Sequence, residues 1–326
     1  NTSMKSLSIP EGVTVIEQDA FDRCTGLTEI SIPASVIRIG EDVNDAEDSF
    51  DGCTALTVIT VAEANEVYTS EDGVLFNKDK TALLLCPEGR SGAYTVPSSV
   101  TDIVYCAFED CAKLTDVTIP GSVTSIGELA FTRSGLTSIT IPGSVKVITG
   151  VIRNEGVYGV FAACTALTSV TLSEGVTSIG DTAFFGCTKL ASVIIPDSVT
   201  SIGEQAFALC SGLASITIPA SVTSIGQQAF SHSGLTSVII PEGVTSIDRH
   251  AFSECAGLTS VTIPDSATYI GPNAFSRCTA LVSVTVSPVN GRRWDDLGAG
   301  AVAFYGCSRL SAESRDALRR AGDRSF

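Results

Sequence analysis

The chain is poor in the residues that carry chemistry. Its 326 residues include two histidines, His232 and His250, and one tryptophan, Trp294. The two histidines fall at different places in the repeat described below, so they do not stack. There is no Gly-x-Ser-x-Gly elbow, no phosphate loop and no His pair at metal spacing. These absences point away from an enzyme and from any cofactor. Basic residues are scarce as well: 20 Lys and Arg stand against 36 Asp and Glu, a net charge of −16. Nucleic acid and anionic lipid call for basic patches, so neither is an expected partner. Long apolar runs are also missing. None approaches the ~20 residues of a membrane span, so no membrane insertion is expected. No leader pattern precedes the first repeat. The chain is expected to be a mature product or an excised fragment, with further coils ahead of Asn1.

What is present is a repeat. One copy runs from Leu190 through Val193, Ile194, Ile195, Pro196, Val199, Ile202, Gly203, Ala206 and Phe207 to Cys210, and Leu213 begins the next, 23 residues on. The Phe marks the beat at Phe161, Phe184, Phe207, Phe230, Phe252 and Phe275. Side chains alternate along an extended segment, so Val193 and Ile195 share a face. Pro196 ends the strand because it has no N–H to offer. Gly203 is expected to permit a sharp corner. A coil this thin cannot bury its own apolar positions, since both its flat sides are open. Stacking buries them in one continuous core.

Nine of eleven cysteines occupy one repeat position, among them Cys187, Cys210, Cys255 and Cys278. A disulfide framework uses irregular, paired spacings. A regular ladder reads instead as small buried thiols filling one slot per coil. Ser134 and Ser233 take that slot in two coils, which fits a role set by size. Cys86 and Cys106 lie off the ladder and could pair with each other.

The rhythm is broken in four places. Phe21 to Phe50 spans 29 residues, with an acidic insertion at about 41–49. The carboxylates of 41–48 could hold Ca²⁺, although the spacing is not that of an EF-hand; a solvated acidic loop is the plainer reading. Residues 63–100 form a variant unit, expected as two short strands and a tight turn that replace or decorate one coil and protrude. A third insertion covers about 149–160 and a fourth about 287–302, where Arg292, Arg293 and Trp294 replace regular coil residues. Trp294 could plug a widened corner or stand out as an interface anchor. Beyond Leu310 the pattern turns helical. Ser311 caps, Glu313 sits in the first turn, Arg319 and Arg320 in the last, and Gly322 stops the helix. Residues 311–326 are therefore expected to cover the last coil of a solenoid spanning 1–310, and to be the native end of the array.

The string Ile-Pro-x-Ser-Val-Thr-Ser-Ile-Gly-x-x-Ala-Phe-x-x-Cys-x-x-Leu-Thr-Ser-Val resembles the leucine-rich repeats of the BspA-like, or Treponema pallidum, type from Leu7 to Leu310. The resemblance implies a mostly β repeat solenoid: a curved stack with a parallel sheet on its concave side and short strands or turns on the other. The stretch Asp72–Pro87 is similar to a variant unit of that family, with Cys86 where Tyr often stands. The resemblance also implies a cell-surface or secreted protein that binds other proteins.

The outward strand positions are mainly Ser and Thr, which are under-represented in hot spots. Ile194 and Ile239 interrupt them as a small apolar patch. Recognition is therefore expected mainly on the irregular segments. The candidate interface residues are Tyr68, Phe76, Lys78, Arg153, Tyr158, Ile194, Ile239, Arg292, Arg293 and Trp294. The expected function is a non-catalytic protein-interaction or adhesion module. The alternatives are a structural spacer or assembly subunit, and direct polysaccharide or ice binding by the hydroxyl-rich face.

Overall fold

The repeat closes into a coil with three hydrogen-bonded sides. The computed structural model describes residues 4–41, 46, 49–148, 150–153, 156–286 and 302–325, with backbone alone over 151–153 and 156–158. The chain forms two compact units, residues 1–139 and 140–326, each a mostly β parallel stack of coils.

In the second unit the first side is the L-x-x-V-x-I strand. Ser169–Leu172 pairs in parallel with Ser192–Ile194, and Ser237–Ile239, Ser260–Ile263 and Ser283–Val286 form a three-stranded ladder. The second side is a six-stranded parallel sheet of two-residue strands, among them Ser178–Ile179, Ser201–Ile202 and Ser224–Ile225. In five of the six strands a threonine just ahead donates its hydroxyl to the preceding coil, as in Thr200 to the Thr177 carbonyl at 3.2 Å and Thr223 to that of Thr200 at 3.3 Å. The third side is the Phe turn. Here the bonds run the other way: Phe184 N–H donates to the Ala206 carbonyl of the next coil at 2.9 Å, and Phe207 to that of Ala229 at 2.7 Å.

Inside, the Phe rings stack. Centroids lie 5.3 Å apart for Phe184–Phe207, 5.1 Å for Phe252–Phe275 and 4.9 Å for Phe275–Phe304, with planes within 8° of parallel. Every one of these rings is fully buried.

Gly203 serves a different purpose from the corner expected of it, and its φ is not positive. A Cβ there would lie 2.7 Å from the Asp181 nitrogen in the preceding coil, so glycine is needed for close approach. The left-handed corner falls two residues later, at Gln205 (φ 54°), and again at Leu209 (φ 61°). Neither is glycine. The interlocking bonds of Gln205 N–H to Gln227 O (2.8 Å) and Leu209 N–H to Ser231 O (2.9 Å) hold these costly conformations.

The first unit carries parallel strands Ser6–Ser8, Glu29–Ile32 and Val58–Val61, then the variant segment. That segment holds four strands, two more than expected: Tyr68–Glu71, Val74–Asn77 and Ala82–Leu85 form an antiparallel meander, and Gly92–Thr95 pairs in parallel with Leu114–Thr118. The last strand of the meander joins Asp102–Ile103 in parallel, so the meander feeds into the coil ladder. Buried Asn65 ties it to the preceding coil. The Asn65 amide donates to the carbonyls of Pro33 (2.9 Å) and Val36 (2.8 Å), and its oxygen accepts from the N–H groups of Val67 and Tyr68.

The C-terminal helix α1 (Ala312–Ala321) starts at Ser311, whose hydroxyl accepts from Ser314 N–H, and stops at Gly322 with φ 100°. It packs on the strand Ser283–Val286 with Leu318 fully buried. Side chains of the tail supply acceptors that another coil would offer. Ser314 Oγ accepts from Val284 N–H, Asp323 from Ala303 N–H and Ser325 Oγ from Phe304 N–H, each at 3.0 Å.

Candidate functional site

The strand side of the second unit alternates as its sequence dictates. Val193, Val238 and Val261 turn inward and are buried. Ser192, Ser237 and Thr217 turn outward. Ile194 and Ile239 share that outward face and are 62% and 72% exposed. Each pairs in register with a threonine, Ile194 with Thr171 and Ile239 with Thr262. Two β-branched side chains thus stand among short hydroxyl residues on two separate parallel ladders, with the coil of Thr217 between them.

Tyr68 and Phe76, expected at an interface, belong to the core of the first unit instead. They are 1% and 0% exposed. The Tyr68 hydroxyl accepts from the Ile39 N–H at 3.1 Å, and Phe76 pairs with Leu83 inside the meander. The meander is covered on both faces, with Val74–Phe76 and Leu83–Leu85 all buried. Continuous apolar runs of this kind are the mark of such strands and were the available signal. Lys78 is exposed, but its Nζ is drawn down onto the carbonyls of Glu63 and Asn65. Arg153 and Tyr158 fall on an antiparallel hairpin, Gly150–Arg153 with Gly156–Gly159. Arg292, Arg293 and Trp294 lie outside the described residues, as does most of the acidic loop 41–48. Among the described residues no group of three or more His, Cys, Asp or Glu is placed to hold a metal.

All eleven cysteines are free thiols, Cys86 and Cys106 included, and all but Cys24 are buried. The ladder thiols donate to main-chain oxygens: Cys187 to Phe161 (3.1 Å), Cys210 to Phe184 (3.2 Å) and Cys278 to Phe252 (3.2 Å). Burial pushes Cys210 and Cys53 up to about 12, which makes them poor nucleophiles.

One further cluster sits in the first unit. The Gly52 N–H, at a turn position that elsewhere donates to the next coil, is accepted by Glu88 at 2.7 Å. Glu88 lines a cavity of about 10 Å³ with Asp51, Glu109 and Asp110. Burial pushes Glu88 up to about 7, and the neighbouring carboxylates add to the shift. Arg133 neutralises part of this charge, reaching Glu109 at 2.8 Å and Asp110 at 2.7 Å.

On the Phe-turn side of the second unit, His232, Glu254 and Arg277 follow one another up successive coils. His232 Nδ1 lies 3.7 Å from Glu254, and Arg277 lies 3.3 Å from the same carboxylate. Tyr305, at 59% exposed, stands beside them, and sequence reading missed it. Among the described residues no helix is long and apolar enough to cross a membrane.

The BspA type leucine rich repeat region matches this chain in 6 copies, over residues 1–80, 92–152 and 157–287. Among solved structures, a leucine-rich repeat protein from Bacteroides ovatus ATCC 8483 is 25% identical over 94% of this chain and 73% of its own, with a TM-score of 0.59. One from Eubacterium ventriosum ATCC 27560 is 25% identical over 71% of this chain, with a TM-score of 0.53. The chain spans 65% of that protein, just under two thirds. The leucine rich repeat protein of T. pallidum is 24% identical over 80% of this chain and 95% of its own, with a TM-score of 0.46. No curated protein matches the chain. The repeat, its three-sided coil and this profile agree: the chain belongs to the BspA-type leucine-rich repeat family.

Proposed function

We propose that the chain is a non-catalytic protein-interaction or adhesion module of the cell surface or secreted space. In this reading the strand side of the second unit meets a protein partner around Ile194 and Ile239. The observation that carries it is their exposure, 62% and 72%, at positions where neighbouring coils hold threonine. Apolar side chains fixed on a paired sheet lose little conformational freedom on binding, so their burial is retained as affinity. The irregular segments with Arg153, Tyr158, Arg292, Arg293 and Trp294 are a second element of the same proposal, since Arg, Tyr and Trp are enriched in hot spots. The family supports a binding scaffold in general terms. The raised thiols support a non-catalytic reading, as do the two histidines at different turn positions.

The experiment is a binding screen of the full chain against purified secreted and surface proteins, followed by the Ile194→Ser, Ile239→Ser double variant. The reading expects a saturable partner whose affinity falls in that variant while thermal stability is kept. A partner bound equally well by the variant would move recognition off the strand side. Turnover abolished by a named substitution would overturn the non-catalytic reading.

A further inference from the structure

The Phe-turn side of the second unit holds a cavity with one small buried residue, Ser276, and an aromatic wall, Tyr305. The position just after each Phe is small and buried in four consecutive coils: Ala208, Ser231, Ser253 and Ser276, none more than 6% exposed. In the next coil that position is Tyr305, 59% exposed. Of the small residues only Ser276, in the coil before Tyr305, borders the hollow of about 280 Å³ beside the ring. The remaining lining is His250, Glu254, Asn273 and Arg277. All four project from left-handed corners, with φ between 57° and 60°. Their backbones are fixed by inter-coil bonds, such as Arg277 N–H to Tyr305 O at 2.7 Å and Glu254 N–H to Ser276 O at 2.8 Å. The corner backbones around the hollow are therefore preset.

Its charge is balanced. Arg277 is already paired with Glu254 at 3.3 Å, so neither a bare anion nor a cation finds an uncompensated counter-charge. Burial and the charge of Arg249 lower His250, which keeps it neutral at pH 7. What is left is one aromatic face ringed by amide, guanidinium, carboxylate, imidazole and hydroxyl groups, a mixed set of donors and acceptors. We propose that this hollow binds a neutral saccharide, one ring lying against Tyr305 with its hydroxyls paired to Asn273, Arg277 and Glu254. The site lies on the turn side of the coil, apart from the strand side assigned above to a protein partner.

The test is saturation-transfer NMR on the full chain. The probes are glucose, galactose, mannose, N-acetylglucosamine, maltose, cellobiose and lactose, with glucuronate as a charged comparator. At least one neutral sugar should bind saturably, and Tyr305→Ala should weaken it roughly tenfold. Asn273→Gly, which keeps the corner conformation while removing the amide, should weaken it too at unchanged melting temperature. Ile194→Ser should leave it unaltered. The proposal is overturned if no neutral sugar binds, if glucuronate alone binds, or if Tyr305→Ala binds as well as the parent chain.

Discussion

The thiol of Cys210 donates to the main-chain oxygen of Phe184, 3.2 Å away in the preceding coil. The slot takes a small side chain able to hydrogen-bond, and one coil later Ser233 fills it with its Oγ 3.3 Å from Cys255 Sγ. Cys210→Ser keeps the donor and should cost under about 1 kcal/mol. Cys210→Val keeps the bulk but removes one of the two donors to the Phe184 carbonyl, which retains the Cys187 N–H at 3.3 Å, and should cost more than serine, at about 1–1.5 kcal/mol. Urea unfolding of the two variants checks the order. If valine is the milder change, the slot is one of packing alone.

Glu88 gives the first unit a pH dependence. Its folded pKa is raised from 4.5 to about 7, so the folded state keeps a proton that the unfolded chain releases between those values. The stabilisation from protonated Glu88 is complete below about pH 4.5 and is lost as pH rises through about 7. Glu88→Gln retains an acceptor for Gly52 N–H without the charge facing Asp51, Glu109 and Asp110. The variant should match the parent chain in melting temperature at the acid end and exceed it above pH 7. Parallel melting curves across that range would contradict this account.

Tyr68→Phe removes the acceptor of the Ile39 N–H, a buried donor. It should lower stability by about 1–3 kcal/mol through that orphaned group. Partner binding by the folded protein should be unchanged. A binding defect at full stability would restore Tyr68 to an interface.

Asp323 accepts from Ala303 N–H, and burial raises its pKa. Asp323→Ala should expose that end of the ladder to amide exchange, by analogy with a lost helix cap at roughly 1 kcal/mol. Asp323→Asn should recover most of the protection. Equal exchange in both variants would leave the tail without a capping role.

The sequence makes the coil legible because its demands recur. Phe207, Cys210 and Val193 appear every 23 residues, and each recurrence narrows what the position can be. The helix from Ser311 to Gly322 is legible through local capping chemistry. What is not legible arises where coils touch. Gly203 looks like a corner residue, yet its role is set by an atom of Asp181 some twenty residues back. Tyr68 and Phe76 look like the tip of a protrusion, because the pairing that folds the meander into the stack is long-range. Tyr305 follows a Phe like many other residues, and only Ser276 and the corner residues of the preceding coils give it a hollow. A sequence shows such a departure from the repeat without its surroundings.

The central claim is that neighbouring coils share one core. Phe207 stacks on Phe184 at 5.3 Å and on Phe230 at 5.4 Å. Phe207→Ala should cost ~3–5 kcal/mol. The direct measurement is amide hydrogen exchange of this variant, read at Phe184 and Phe230. A shared core predicts faster exchange at both, in the coils on either side. Loss of protection confined to the coil of residue 207, with its neighbours as slow as in the parent chain, would contradict it.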